Sequence, residues 1–343
     1  MDGTTLYIGS MGGKIMSVNA TDGKVIWEAP LEATAPPTGG FGCSAPPAAV
    51  AIYGSPSVSG NLVYLGGYNS GKFYAFAPGE QEPRWVYPRE GVSNTQIVGG
   101  SMVAGGEVFF GTADGNFYAL NAATGSISNG WVFPADSTQI GKIWSAPVVL
   151  DGTLFVGSFD RNLYALDMAT GQKKWAFPTG GSIVAAPLTD NDTVYIGSFD
   201  RNFYAVNAAT GQGKWKFTGA KNWFWAQPLI DNGKIYAANL DGKLYVLDAR
   251  NGSKLGEFDL GGMISASPVV VGSTVVAVNE NGVVFTVNTE TNQNRQILDL
   301  KEKVDAPLAT DGTAVFIHTN AAKLYAVNAQ TGGILWTTLL KGN

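Results

Sequence analysis

Charge is scarce in this chain. Asp, Glu, Lys and Arg make up 14% of its 343 residues, against about 25% in an average soluble protein. The net charge is −5 and no basic cluster is longer than Lys173-Lys174. A nucleic-acid partner needs a positive stripe that displaces phosphate counterions, so that class is excluded. One cysteine, Cys43, excludes an intrachain disulfide framework, and one histidine, His318, excludes most His-based metal sites. Long apolar runs are missing as well. The nearest, Leu260 to Val278, is broken by Gly261, Gly262, Ser265, Ser267, Pro268 and Gly272, and reads as two strands and a turn instead of a membrane span. No signal peptide precedes the first strand-like segment.

What is present is glycine and aromatic residues. Glycine fills 45 positions, and the chain carries 17 Phe, 13 Tyr and 9 Trp. With 45% hydrophobic residues a sizeable core can be buried, and the glycine content predicts an all-β chain with many tight turns. Self-similarity then decides the architecture. Val156-Gly157-Ser158-Phe159-Asp160-Arg161-Asn162-Leu163-Tyr164-Ala165 is nearly repeated as Ile196-Gly197-Ser198-Phe199-Asp200-Arg201-Asn202-Phe203-Tyr204-Ala205. Taking the aromatic of the Tyr-Ala pair as a ruler, equivalents fall at Met16, Tyr74, Tyr118, Tyr164, Tyr204, Tyr245, Phe285 and Tyr325. The steps are 58, 44, 46, 40, 41, 40 and 40 residues, within the range of propeller blades.

The apolar runs inside each unit are four to six residues long and rich in Val, Ile, Tyr and Phe, too short for helices. In the fourth unit the expected strands are Ser145–Val149, Leu154–Ser158, Leu163–Asp167 and Lys174–Phe177. Turn pairs such as Asp151-Gly152 and Asn232-Gly233 stand between the first two strands of each unit, with Ser59-Gly60 and Val271-Gly272 in the same role. The expectation is an eight-bladed β-propeller of four-stranded antiparallel blades, as one domain over 1–343. Its blades are expected at approximately 1–30, 51–88, 97–135, 143–179, 183–219, 224–260, 264–300 and 304–341, with an insertion at 29–51. Blade one opens at its first turn and so lacks its innermost strand within this chain: either that blade has three strands or, the favoured reading, this is an excised segment whose missing strand lay outside it.

The junction before the fourth strand, Asn207-Ala208-Ala209-Thr210-Gly211-Gln212-Gly213-Lys214-Trp215, resembles the tryptophan-docking motif of pyrroloquinoline-quinone-like propeller repeats, and Asp167 to Trp175 repeats it. Two families carry that motif: quinoprotein alcohol dehydrogenases, and the BamB-type lipoprotein of the outer-membrane barrel-assembly machinery. The chain is closer in character to the second. Trp27, Trp85, Trp131, Trp175, Trp215 and Trp336 occupy the docking position, where a large flat ring between blades has a structural role. Blade six has Gly256 and blade seven Gln296 at that place, and blade two opens its junction with Ala77.

The resemblance to quinoprotein enzymes implies a quinone sandwiched between a tryptophan and a disulfide of adjacent cysteines, polarised by calcium, with an aspartate as base. No Cys-Cys pair exists here, and no calcium loop of alternating Asp and Asn is present. Asp190-Asn191-Asp192 lies at a hairpin turn, where those residues serve the backbone. His318 reads as a structural strand residue. The Ser145-Ala146-Pro147 and Ala185-Ala186-Pro187 tripeptides recur in step with the blades as innermost-strand starts. No nucleophile elbow or phosphate loop is found. The expectation is a non-enzyme without cofactor or metal.

In an up-and-down blade the second-to-third-strand turns share a face with the connections between blades. The irregular sequence collects on that face. Trp144, Trp223 and Trp225 sit at or just before innermost strands, with Tyr53 in the comparable place of blade two. Two readings stand for them, burial against a partner at the rim or plugging of the central channel. Phe159-Asp160-Arg161 and Phe199-Asp200-Arg201 put one triplet on neighbouring blades, read either as interface residues or as an Asp–Arg pair inside each turn. The 29–51 insertion is rich in Pro, Gly and Ala, of the length of a binding loop or lid. Asp305 is the only carboxylate two residues before a strand-starting proline. In the BamB-like family this face contacts the partner assembly protein, and the resemblance carries that role to Lys142–Trp144 and Lys303–Asp305. Cys43 lacks the apolar stretch that precedes a lipidation site.

These features predict a non-catalytic, extracytoplasmic scaffold or adaptor of the cell envelope, in periplasm or at the cell surface, that binds a protein partner through its irregular face. The alternative is the ligand-sensing ectodomain of a larger receptor or surface protein, with a small molecule or glycan as occupant. A quinoprotein enzyme or its degenerate relative comes third.

Overall fold

The computed structural model describes residues 1–32, 50–88, 95–134, 140–288, 290–291 and 293–340. Most of the 29–51 insertion, Cys43 included, lies outside the described residues. Eight antiparallel sheets follow one another along the chain, seven of four strands and the first of three, each with its strands in sequence order. The described residues contain no helix, and so none long and apolar enough to cross a membrane. The sheets form the ring of an eight-bladed β-propeller.

Blade four shows how sequence becomes blade. Its strands are Val148–Leu150, Thr153–Gly157, Asn162–Asp167 and Lys173–Pro178. The second strand is buried along its whole length and the outer one is largely exposed. The innermost strand is shorter than the expected Ser145–Val149, because Pro147 has no N–H to give a ladder. Asp151 and Gly152 join the first two strands, both at positive φ (47° and 67°), the backbone of a tight two-residue hairpin. In blades two and seven the turn falls one residue later than the sequence suggests. Ser59 pairs with Leu62 and Val271 with Thr274, so the turn residues are Gly60-Asn61 and Gly272-Ser273.

The aromatic ruler marks equivalent places in the third strands. Tyr164 faces Val156, Tyr204 faces Ile196, Tyr245 faces Ala237 and Tyr325 faces Ile317. The core is a series of clusters, each between two neighbouring blades. One packs Phe109, Phe117 and Trp131 of blade three on Leu154, Val156 and Leu166 of blade four.

All six docking tryptophans bridge to the next blade by an indole N–H donated to a backbone carbonyl. Trp85 reaches Ala122, Trp131 reaches Met168, Trp175 reaches Ala208 and Trp215 reaches Ala249, at 3.0–3.1 Å. Trp27 reaches Glu80 at 2.8 Å. In five of these joints a glycine at φ between +68° and +73° lies against the ring: Gly23, Gly125, Gly171, Gly211 and Gly252. A Cβ there would come within 2.4–2.8 Å of a ring carbon. Where blades six and seven lack the ring, polar side chains cross the joint instead. Asn294 of blade seven donates to Asp259 O of blade six, and the Arg295 guanidinium donates to Gln330 O of blade eight.

The ring closes between blades eight and one. Trp336 donates to Ala20 O at 2.9 Å, and Phe316, Leu324 and Ala326 pack on Leu6, Met16 and Val18. Blade one consists of Thr5–Gly9, Lys14–Asn19 and Val25–Pro30. Asp2 and Thr5 exchange both backbone hydrogen bonds at 2.9 Å, as the last pair of an inner hairpin does. The Asp2–Thr5 pair thus stands where the other blades end their innermost strand.

Candidate functional site

The second-to-third-strand turns and the inter-blade connections do share a face, and hydrogen bonds hold them together. In blade four, Phe159 N donates to Lys142 O at 2.9 Å, and Thr179 N of the outgoing connection donates to Arg161 O at 2.8 Å. The same rung recurs from Phe199 N to Ser182 O, from Leu240 N to Trp223 O and from Asn320 N to Lys303 O.

This ladder fixes which residues correspond. Lys142, Trp223 and Lys303 hold one position. The next is a buried apolar anchor: Ile143, Phe224 and Val304. It packs toward the end of the preceding blade's second strand, where an added Cβ on Gly111 or Gly197 would lie 2.2 Å from the anchor's side chain. The position after the anchor carries Trp144, Trp225 and Asp305. Counting back from proline therefore misplaces Asp305: blade eight is one residue shorter there, and Asp305 stands in the place of Trp144. Its carboxylate accepts from Asn320 Nδ2 at 2.7 Å and from Ser265 Oγ at 3.3 Å.

Five of the sequence-selected aromatics come together as a ladder across blades four to six. Trp144 meets Phe159 edge-on with ring centroids 4.6 Å apart, and Phe159 meets Phe199 at 6.4 Å. Phe199 stacks on Trp223 at 4.4 Å, the planes 11° apart, and on Trp225 at 5.7 Å and 20°. Trp223 remains 43% exposed and Trp225 37%. The contacts that hold these tryptophans are with turn phenylalanines of the rim. Lys142 Nζ lies 5.9 Å above the Trp144 ring, within cation–π range. Trp144 Nε1 is buried and has no hydrogen-bond partner. Tyr53, 54% exposed, belongs to a separate pair on blade two, edge-on to Tyr68 at 4.9 Å.

The two Phe-Asp-Arg triplets are not internal ion pairs. Asp160 Oδ2 accepts from Tyr164 OH at 2.5 Å, and Asp200 Oδ2 from Tyr204 OH at 2.5 Å and from Gly180 N at 2.7 Å. The carboxylates also take the Asn162 and Asn202 N–H groups. Burial alone would raise the Asp200 carboxyl, but the bonds from Tyr204, Asn202 and Gly180 hold it below its ordinary value. Burial, then the Asp200 hydrogen bond, pushes the Tyr204 hydroxyl up to about 12. Blade six repeats the motif with Asp241 and Tyr245. Blades two and eight achieve it with a connection carboxylate, Glu32 to Tyr74 and Glu302 to Tyr325. Sequence reasoning used these tyrosines only as a ruler and missed their carboxylates; the i,i+4 spacing of Asp160 and Tyr164 was the available signal.

With the aspartates engaged, Arg161 and Arg201 point to solvent outside any of the described ion pairs. Both have positive φ, 77° and 70°. At the same turn position, marked by an N–H to the carbonyl three residues back, blades one, three, six and seven have Gly13, Gly115, Gly242 and Gly282, and blade eight has Ala322 at φ 56°.

Among the described residues no group of three or more His, Cys, Asp or Glu could hold a metal ion. The quinone of the quinoprotein enzymes does not fit the residues present, since one cysteine cannot form its vicinal disulfide. Asp190-Asn191-Asp192 forms its turn with Asn191 at φ 50°, and Asp192 pairs with Lys214.

The chain is similar in structure to BamB from Moraxella catarrhalis, with a TM-score of 0.71 and 19% identity over 97% of this chain and 90% of that one. It is equally similar, at TM-score 0.71 and 16% identity, to the computationally designed Ika8 protein, over 84% of this chain and 87% of that one. At these identities the likeness is one of fold. No curated protein matches it in sequence. The family profile described as outer membrane protein assembly factor BamB matches residues 1–131 and 128–338. This pyrroloquinoline-quinone-like propeller therefore belongs to the BamB family.

Proposed function

We propose that this protein is a non-catalytic adaptor of the cell envelope, extracytoplasmic, that holds a protein partner on the face carrying the inter-blade connections. The observation that carries the reading is the aromatic ladder on blades five and six, in which half-buried Phe199 stacks on the exposed Trp223 and Trp225. Stacked rings cost little side-chain entropy to immobilise, and aromatics and arginine are the types enriched in interface centres. Trp144, Phe159 and Lys142 extend the surface over blade four, while Tyr53 and Asp305 occupy the matching rim positions of blades two and eight. Membership of a family named for outer membrane protein assembly supports the same role.

Site-directed photo-crosslinking in envelope extract tests it. A benzoylphenylalanine in place of Phe199 is expected to give one discrete protein adduct. The same probe at Thr210, in a turn on the opposite face, is expected to give none. Equal adducts at both positions, or none at Phe199, would remove this surface as the partner site.

A further inference from the structure

The partner's chemistry can be taken a step further, resting on the adaptor reading above. We infer that the rim of blades four to six receives an acidic, extended segment of the partner protein, its carboxylates on Arg161 and Arg201 and its apolar side chains on the Phe199–Trp223–Trp225 stack.

Two independent observations point there. The first is the backbone. A left-handed conformation at a residue with a Cβ is disfavoured, and at a bulky side chain outside the Asn and Asp of hairpin turns it is a pointer to function. Blades one, three, six and seven avoid it with glycine at this position, and blade eight bears it at Ala322 (φ 56°), whose methyl is the smallest side chain that has a Cβ. Blades four and five place arginine there, on adjacent turns, and both side chains are exposed. Neither guanidinium has a described ion pair or hydrogen bond that would offset that cost inside the fold.

The second is charge. The protein is net acidic at −5, and among the described residues ten cations are ion-paired. On this rim Lys142, Arg161, Arg201 and Lys221 are all exposed and outside those pairs. The carboxylates beside them are already used. Asp160 and Asp200 accept from tyrosines, and Asp241 accepts from Tyr245 OH and Lys221 N. Those three aspartates keep their charge but are half-buried and turned to the tyrosines, so the four exposed cations outnumber them and are the charges that face solvent next to the flat apolar rings. An arginine fork meets a carboxylate with two parallel N–H bonds, and alternate side chains of an extended strand fall on opposite sides. A strand alternating acidic and apolar residues thus matches both parts of the surface.

The test uses the full chain and three short fluorescein-labelled peptides, in which Val alternates with Asp, with Asn or with Lys, followed by fluorescence anisotropy. The double variant Arg161→Gly/Arg201→Gly introduces the residue other blades already use, so its fold is protected. Lys173→Gln/Lys216→Gln, on exposed outer strands, serves as control. The Val-Asp peptide is expected to bind about tenfold or more tighter than Val-Asn, with Val-Lys weakest, and to weaken as salt is raised. The double variant should lose most of that preference and the control none. Equal affinity for Val-Asp and Val-Asn, or a preference unchanged in the double variant, would overturn the acidic-partner inference. If Val-Asn still binds and Trp223→Ala abolishes it, the aromatic rim and the adaptor reading survive that failure. Binding of phosphatidylglycerol vesicles with no binding of Val-Asp would overturn the inference in favour of a lipid surface.

Discussion

Trp131→Ala is the substitution whose cost the structure defines best. The indole is 2% exposed, packs against Phe109 and Phe117 at centroid distances of 5.8 and 5.7 Å, and lies over Gly171 of the next blade. An aromatic ring of this class buries about 150–250 Å², worth about 4–6 kcal/mol at roughly 25 cal/mol per Å². Alanine recovers part of that, and truncations of this kind usually cost about 3–5 kcal/mol. The Met168 carbonyl also loses its donor, which adds about 1 kcal/mol. A loss near 4 kcal/mol follows. With unfolding entropy of about 2.1 cal/mol/K per residue, the whole ring should melt about 6 °C lower. Trp223→Ala is the matched control: the same residue type, 43% exposed, expected to cost under about 1 kcal/mol. Urea unfolding followed by circular dichroism, with calorimetry alongside, reads both. If Trp131→Ala costs no more than Trp223→Ala, the tryptophans do not tie the blades together and the reasoning fails. The other docking rings supply a gradation, because Trp27 and Trp85 are buried whereas Trp175, Trp215 and Trp336 are partly exposed, and their alanine variants should fall in that order.

Replacing Arg161 or Arg201 by glycine should stabilise the chain by about 1 kcal/mol each, the relief of a left-handed residue; a lower urea midpoint would contradict this. His318 should titrate below the ordinary histidine value of 6.5, because burial opposes its charged form. Its folded pKa being depressed, stability falls as pH drops from 6.5 toward that value. As the only histidine, its ring proton is a clean NMR reporter, and titration at or above 6.5 would refute the burial argument. The Glu257 carboxyl, bonded by Lys243 and Lys254, is held down to about 2. Its contribution is complete above 4.5, the ordinary glutamate value, and is lost as pH falls toward about 2. Glu257→Gln should flatten the acid limb of the stability–pH curve slightly, the pair being partly exposed, and an unchanged limb would count against the pairing.

The propeller was legible because its information is local and repeated. Tyr164 and Tyr204 recur with their flanking turns, and Thr-Gly-x-x-x-Trp junctions mark the outer edges of blades four, five and eight. What escaped depends on register and on contacts between segments. The hairpins of blades two and seven slip by a residue because Ser59 and Val271 end strands, leaving Gly60 and Gly272 to open the turns. Asp305 takes the place of Trp144 because the buried Val304, and not the proline, sets the alignment. Asp160 looked like a partner for Arg161 because they are adjacent in sequence. Strand geometry turns it toward Tyr164 instead, freeing the arginine. The replacement of a docking ring by Arg295 is invisible until Gln330 is seen across the joint. The aromatic members of the candidate site were therefore readable as residue types, but their stacking was not.

The joint between blades eight and one differs from the other docking joints in the length of chain it spans. Trp336 and Ala20 stand 316 residues apart in sequence, against 33 to 53 for the other docking pairs. Bringing chain ends together costs entropy that grows with the logarithm of the loop, so this clasp costs about 2 kcal/mol more to fasten than a joint of forty residues. What it returns is shared by every blade: once it is fastened, an open row becomes a hoop in which each blade has a neighbour on both sides.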